Sequence, residues 1–106
     1  MIYYAPLMRI VFMGSSQASA MCLKAILRLP GLEVVGVVTQ PDRPAGRGKV
    51  LTPCRCRAYA EERGIKSCIT PENVNDPEAL AQIRAWKPDV IVVVAFGQFL
   101  KEELLN

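Results

Sequence analysis

The chain reads as an α/β domain: a Rossmann-like parallel sheet with helices on both faces, incomplete because only the front part of such a domain is present. Three observations predict this. Apolar runs of strand length alternate with segments of helical periodicity along the whole chain. No tight hairpin signal lies between the strands. The run Val90-Ile91-Val92-Val93-Val94-Ala95 is apolar at every position, which suits a strand covered on both faces. Right-handed crossovers then favour the spatial order third, second, first, fourth strand.

Each element has its own signal. Arg9-Ile10-Val11-Phe12-Met13 is a short apolar run, and Gly14-Ser15-Ser16 breaks it and offers a serine N-cap. Ala18, Met21, Cys22, Ala25, Ile26 and Leu29 recur at helical spacing, predicting an amphipathic helix over 17–29 that Pro30-Gly31 ends. Residues 33–39 read as the second strand. A helix is predicted over 53–63, with Gly64 as its stop, and a weak third strand over 66–70. Asp76 caps the next helix and Pro77 stands in its first turn, where a missing N–H costs nothing. Ala79, Leu80, Ile83 and Trp86 form its buried face. Residues 90–95 are the fourth strand, which is an edge in this order. An apolar edge invites association, so a further strand is expected to cover it. Lys101-Glu102-Glu103-Leu104-Leu105-Asn106 reads as the start of a following helix. Met8 is a more natural start than Met1, so 1–7 read as an N-terminal extension and 8–106 as the domain.

The chain has 106 residues, 51% apolar and 22% charged. That composition is globular, and the length allows one core that buries roughly 65% of the extended-chain surface. No apolar run approaches the ~20 residues of a membrane span, and residues 1–7 lack the features of a secretory signal. Cys22, Cys54, Cys56 and Cys68 match no zinc spacing and no histidine is present, so no metal is expected. Reduced cysteines in a cytoplasmic protein are the expectation.

Net charge is only +3, but its distribution is uneven. Between Asp42 and Arg57 stand five cations, Arg43, Arg47, Lys49, Arg55 and Arg57, against one anion. They lie on and after a loop, Thr39-Gln40-Pro41-Asp42-Arg43-Pro44-Ala45-Gly46-Arg47-Gly48-Lys49, that is longer than the two to six or so residues usual for such a connection. Such a patch steers a polyanion, or it is an ordinary solvated loop. The first turn, Gly14-Ser15-Ser16-Gln17-Ala18-Ser19, has one glycine where a dinucleotide fingerprint needs three. Ser15 and Ser16 read as caps, since no histidine exists to activate them. A ligand is better sought outside the carboxyl ends of the strands. There Phe96 and Phe99 flank Gly97-Gln98, either as contacts for a flat heterocycle or simply as core.

Taken together, Met8-Arg9-Ile10-Val11-Phe12-Met13-Gly14, the basic loop with Leu51-Thr52-Pro53, and Lys87-Pro88-Asp89 running through to Gln98 resemble the start of the methionyl-tRNA formyltransferases. The resemblance covers about residues 8–105, and the loop motif is its most specific part. It implies formyl transfer from 10-formyltetrahydrofolate to the methionine amine of initiator methionyl-tRNA, in translation initiation. It implies that Arg47 is the main tRNA contact, supported by Arg43 and Lys49. It assigns Phe96, Gly97, Gln98, Phe99 and Leu100 to the wall of the folate pocket. The family's Asn-x-His motif and its Asp fall beyond Asn106, so no catalytic residue is expected within the chain, and the chain alone is expected to be inactive. The family usually has Thr-Pro, an acidic residue and an aromatic after the first-turn glycine, where this chain has Ser15-Ser16-Gln17-Ala18. It has Tyr and Ile where Phe96 and Phe99 stand, and a proline where Lys101 stands. Two alternatives remain: another folate-dependent formyltransferase, acting on a sugar nucleotide or a purine precursor, and a non-catalytic remnant that acts as an RNA-interaction module.

Overall fold

A computed structural model of the chain describes residues 7–45, 48 and 50–96. Its centre is a four-stranded parallel sheet built from β1 (Met8–Gly14), β2 (Leu32–Val38), β5 (Cys68–Ile69) and β6 (Val90–Val94). The order is β5-β2-β1-β6, the expected third-second-first-fourth arrangement. Three helices connect the strands: α1 (Gln17–Leu27), α2 (Arg55–Glu62) and α3 (Pro77–Ala85).

Alternation along β1 divides the core between two faces. Phe12 points to one side, where it meets Leu23 of α1, Val37 of β2, and Cys56 and Ala60 of α2. Val11 and Met13 point to the other and meet Val38, Val74, Ile83 of α3 and Phe96. Both faces of the central strand are therefore covered, as a parallel sheet requires. β6 lies at the edge of the described sheet, paired only with β1, and exposes Val90 and Val93.

Several elements differ in detail from the sequence expectation. The loop after β2 contains an antiparallel ribbon, β3 (Arg43–Ala45) with β4 (Val50–Thr52). Pattern reading missed it because strands of three residues, with Arg43, Pro44, Val50, Leu51 and Thr52 exposed, leave no hydrophobic alternation. The third core strand shrinks to two residues. α1 buries Ser19, Ala20 and Leu23, while Met21 and Leu29 are exposed. Of the expected stripe, Cys22 and Ile26 do pack against the core, while Ala18 and Ala25 are exposed with Met21 and Leu29, so spacing alone placed the stripe of the helix only in part. Its rotation is set instead by Ser19, whose hydroxyl bonds the Val94 carbonyl of β6. α2 starts at Arg55, because Cys54 is its extended N-cap and its Sγ accepts the Arg57 N–H at 3.4 Å. Asp76 does occupy the N-cap of α3, with Pro77 following, but its side chain makes no capping bond.

Two glycines are required by close approach. A Cβ on Gly14 would stand 2.5 Å from the Ser19 Cβ and 2.8 Å from the Val94 carbonyl oxygen. A Cβ on Gly36 would stand 2.2 Å from the Trp86 ring. Gly36 also lies beside a register shift, where Ile10 pairs Val34 but Val11 pairs Gly36.

Candidate functional site

The carboxyl ends of β1, β2 and β6 converge on one hydrogen-bond node. Ser15, just after β1, donates its hydroxyl to the Phe96 carbonyl at 3.1 Å and accepts the Gln40 N–H at 3.2 Å. The Gln40 side-chain amide also donates to the Phe96 carbonyl, at 3.0 Å. The Ser15 carbonyl accepts the Cys56 N–H at 3.5 Å, which docks the first turn of α2 against the same point. Three strand ends and one helix start are thus held by one short polar segment. This is the place where open α/β sheets bind ligands.

The amino end of α1 is closed by its own hydroxyls. Ser16 is the N-cap, and its Oγ accepts the Ser19 N–H at 3.0 Å. The Ser19 hydroxyl accepts the N–H groups of both Ser15 and Ser16, each at 3.3 Å. These amides, which would face a pyrophosphate in a dinucleotide site, are spent inside the capping box.

Beside the node lies an open cavity of about 800 Å³. Its lining includes Ser15, Gln40, Pro41, Arg43, Cys54 and Arg55. Two arginines thus face a cleft at the sheet's carboxyl edge, with the β3–β4 ribbon as one wall. The lining around these two cations is largely apolar, so the cleft offers both charge and apolar surface to a ligand.

Arg43 makes an exposed ion pair with Glu72 at 3.3 Å. At such exposure the pair contributes at most about 1 kcal/mol, so it does not withhold Arg43 from a stronger anionic partner. Arg57 binds Asp42 of the loop and, at 3.2 Å, Glu61 one helical turn on. Its bond to the Asp42 carboxylate holds the guanidinium pKa above the ordinary arginine value. This cation therefore tethers the loop base to α2. Arg47, Lys49 and residues 97–100 lie outside the described residues. Of the expected folate-wall residues Phe96 is described: its ring is buried in the core and its carbonyl belongs to the node. Sequence reasoning missed Gln40 and gave Arg55 no role of its own. A signal for Gln40 was available, since the expected strand order already places residues following the first, second and fourth strands side by side.

The four cysteines are free thiols, and no group of three or more metal-binding side chains occurs among the described residues. Burial, reinforced by the nearby Cys54 and Cys68 thiols, pushes the Cys56 thiol up to about 12. A raised folded-state pKa contributes stability that is full below about pH 9 and lost as pH rises from 9 toward 12. Native protein should therefore alkylate at Cys56 last of the four, and denaturant should remove that delay. Mass mapping of iodoacetamide adducts at pH 8 tests this, and early modification of Cys56 would contradict it.

Comparison with known proteins decides the family. Residues 8–106 match the family model described as formyl transferase. The chain belongs to the formyl transferase family. It is 50% identical over 98 residues to the methionyl-tRNA formyltransferase of Bacillus subtilis, covering 92% of this chain and 30% of the relative. It is 47% identical over 97 residues to that of Geobacter metallireducens, with 92% and 30% covered. With that of Thermotoga neapolitana the identity is 41% over 99 residues, with 93% and 31% covered. The chain thus spans about 30% of the length of the curated relatives it matches. The formyl transferase match includes the node, the cavity and the basic loop. Among the described residues, no helix is long and apolar enough to cross a membrane.

Proposed function

We propose that the protein acts in the cytoplasm in translation initiation, as the donor-side and RNA-side part of an enzyme that formylates initiator methionyl-tRNA. The formyl donor is 10-formyltetrahydrofolate. The methionine α-amine attacks the formyl carbon, the new C–N bond forms, the bond from that carbon to the folate nitrogen breaks, and tetrahydrofolate leaves with the proton. The observation that carries this reading is the basic loop. It leaves the carboxyl end of β2 at Gln40, is tethered by Asp42 to Arg57, and forms a ribbon beside an arginine-lined cavity.

In this reading the chain's own residues bind and orient. Arg43, Arg47 and Lys49 meet the acceptor end of the tRNA; a planar guanidinium fork suits phosphate oxygens and base edges. Arg55, which also lines the cavity, adds a further cation. Residues 97–100 form the folate side, with Phe96 contributing through its backbone because its ring is buried in the core. Proton transfer and oxyanion stabilisation fall to the Asn-x-His and Asp groups that the family resemblance places after Asn106. That the relatives are methionyl-tRNA formyltransferases supports the tRNA substrate, as does the loop, because a small amine substrate does not require an extended basic arm.

Loop variants in the full-length protein test the reading. Arg47→Ala should raise the KM for methionyl-tRNA and lower the salt slope of tRNA binding by up to about one unit, as expected for one lost phosphate contact. Unchanged tRNA kinetics and an unchanged slope would remove Arg47 from the contact.

A further inference from the structure

We infer that Gln40 is a positioning residue that ties the formyl-donor side of the site to the base of the RNA-side loop, with Ser15 as its partner. This rests on the function proposed above. The argument starts at the end of β6. Ala95 has φ of 46°, the left-handed region that side chains with a Cβ rarely adopt. Such a conformation persists only where its surroundings over-determine it. Here they do so from two sides. The Phe96 ring is buried among Val11, Met13 and Ile83, and the Phe96 carbonyl accepts two hydrogen bonds, from Ser15 Oγ and Gln40 Nε2. The backbone at Phe96 is therefore held by these two donors, and in the function proposed above the residues that follow it in sequence belong to the folate side.

Gln40 has a second attachment. Its own N–H donates to the same Ser15 hydroxyl, and it is two residues from Asp42, which Arg57 holds. Gln40 and Ser15 thus join the root of the basic loop to the turn at Phe96 through three hydrogen bonds, two of them made by Gln40, that share one hydroxyl and one carbonyl. Its neighbour Thr39 is fully buried, so the backbone on the strand side is immobilised and the side-chain amide is aimed rather than free to wander. A glutamine that only satisfied a surface carbonyl would need neither the serine contact nor a strained residue, Ala95, beside its partner.

The test compares Gln40→Met, Ser15→Ala and Ser15→Thr in the full-length protein. Methionine keeps the length of the side chain and removes the donor; threonine keeps the hydroxyl. Gln40→Met and Ser15→Ala should each raise the KM for 10-formyltetrahydrofolate about three- to tenfold, the effect of one lost hydrogen bond. Ser15→Thr should stay within about twofold of the parent by the same scale. Amide hydrogen exchange at Gln40 should accelerate in Ser15→Ala, a readout that does not depend on catalysis. Donor KM values unchanged in Gln40→Met and Ser15→Ala, in an enzyme that does use the folate donor, would overturn the inference alone. So would a Ser15→Thr variant as impaired as Ser15→Ala. A parent protein that never uses the folate donor would instead remove the proposed function, and with it the donor side of this assignment.

Discussion

Phe12→Ala is expected to destabilise the fold by about 3–5 kcal/mol, the usual cost of emptying a fully buried aromatic position. Phe12 has no exposed surface and stands at the middle of the central strand. It lies on the face shared by α1 and α2, where Leu23, Val37, Cys56 and Ala60 surround it. These neighbours cannot readily collapse into the space, because they belong to three elements, α1, β2 and α2, each with contacts of its own. Domains of this size are stable by only about 5–15 kcal/mol in total, so the loss is a large fraction of the margin. Thermal unfolding checks it: at about 4–8 °C per kcal/mol, the midpoint should fall by well over 10 °C. A drop of a degree or two would mean that the α1–α2 face is not a packed core.

Gly36→Ala is expected to cost about 1–3 kcal/mol by overpacking, and it should be visible in a single optical signal. Gly36 is buried in β2 directly beneath the Trp86 ring, which leaves no room for a Cβ. The indole cannot simply slide away. The Trp86 carbonyl is held by Arg9 Nη2 at 2.6 Å and by Arg9 Nε at 3.1 Å, and the Arg9 N–H in turn donates to Asp89 Oδ2 at 2.8 Å. Either the ring turns outward or β2 shifts at its register irregularity. Trp86 is the only tryptophan of these 106 residues, so the difference in emission between variant and parent reports on its surroundings. Greater solvent exposure of the indole, seen as a red-shifted emission together with a lower melting temperature, is the expected result. An unchanged spectrum and midpoint would contradict the packing of α3 on β2.

The same residues explain what was legible in the sequence. Val90 to Val94 and the alternation of strand and helix signals named the parallel sheet, and its order followed from handedness. Gly14 and Ser16 were recognisable as a strand-to-helix turn with a cap, and Pro77 as the start of a helix. What escaped was whatever depends on contact between distant segments. Ser19 is an ordinary polar residue on a helix until β6 places the Val94 carbonyl against it, and that contact, rather than apolar spacing, rotates α1. Gln40 carries no local signal at all; it acquires a role only when Ser15 and Phe96 arrive at the same corner. The β3–β4 ribbon has exposed Val50 and Leu51 and so shows no inward face for a pattern to reveal. The basic loop was readable because charge and length are local properties, whereas its tether, Arg57, resembles any helix-surface cation until Asp42 is seen beside it.

The central claim concerns which amine receives the formyl group. Full-length protein supplied with 10-formyltetrahydrofolate and initiator methionyl-tRNA should yield formyl-methionyl-tRNA, read by mass analysis of the released amino acid. Under the same conditions an amino-sugar nucleotide or a purine-precursor amine should remain unmodified. Formylation of either small amine with methionyl-tRNA untouched, or no transfer to methionyl-tRNA at all, would contradict the account.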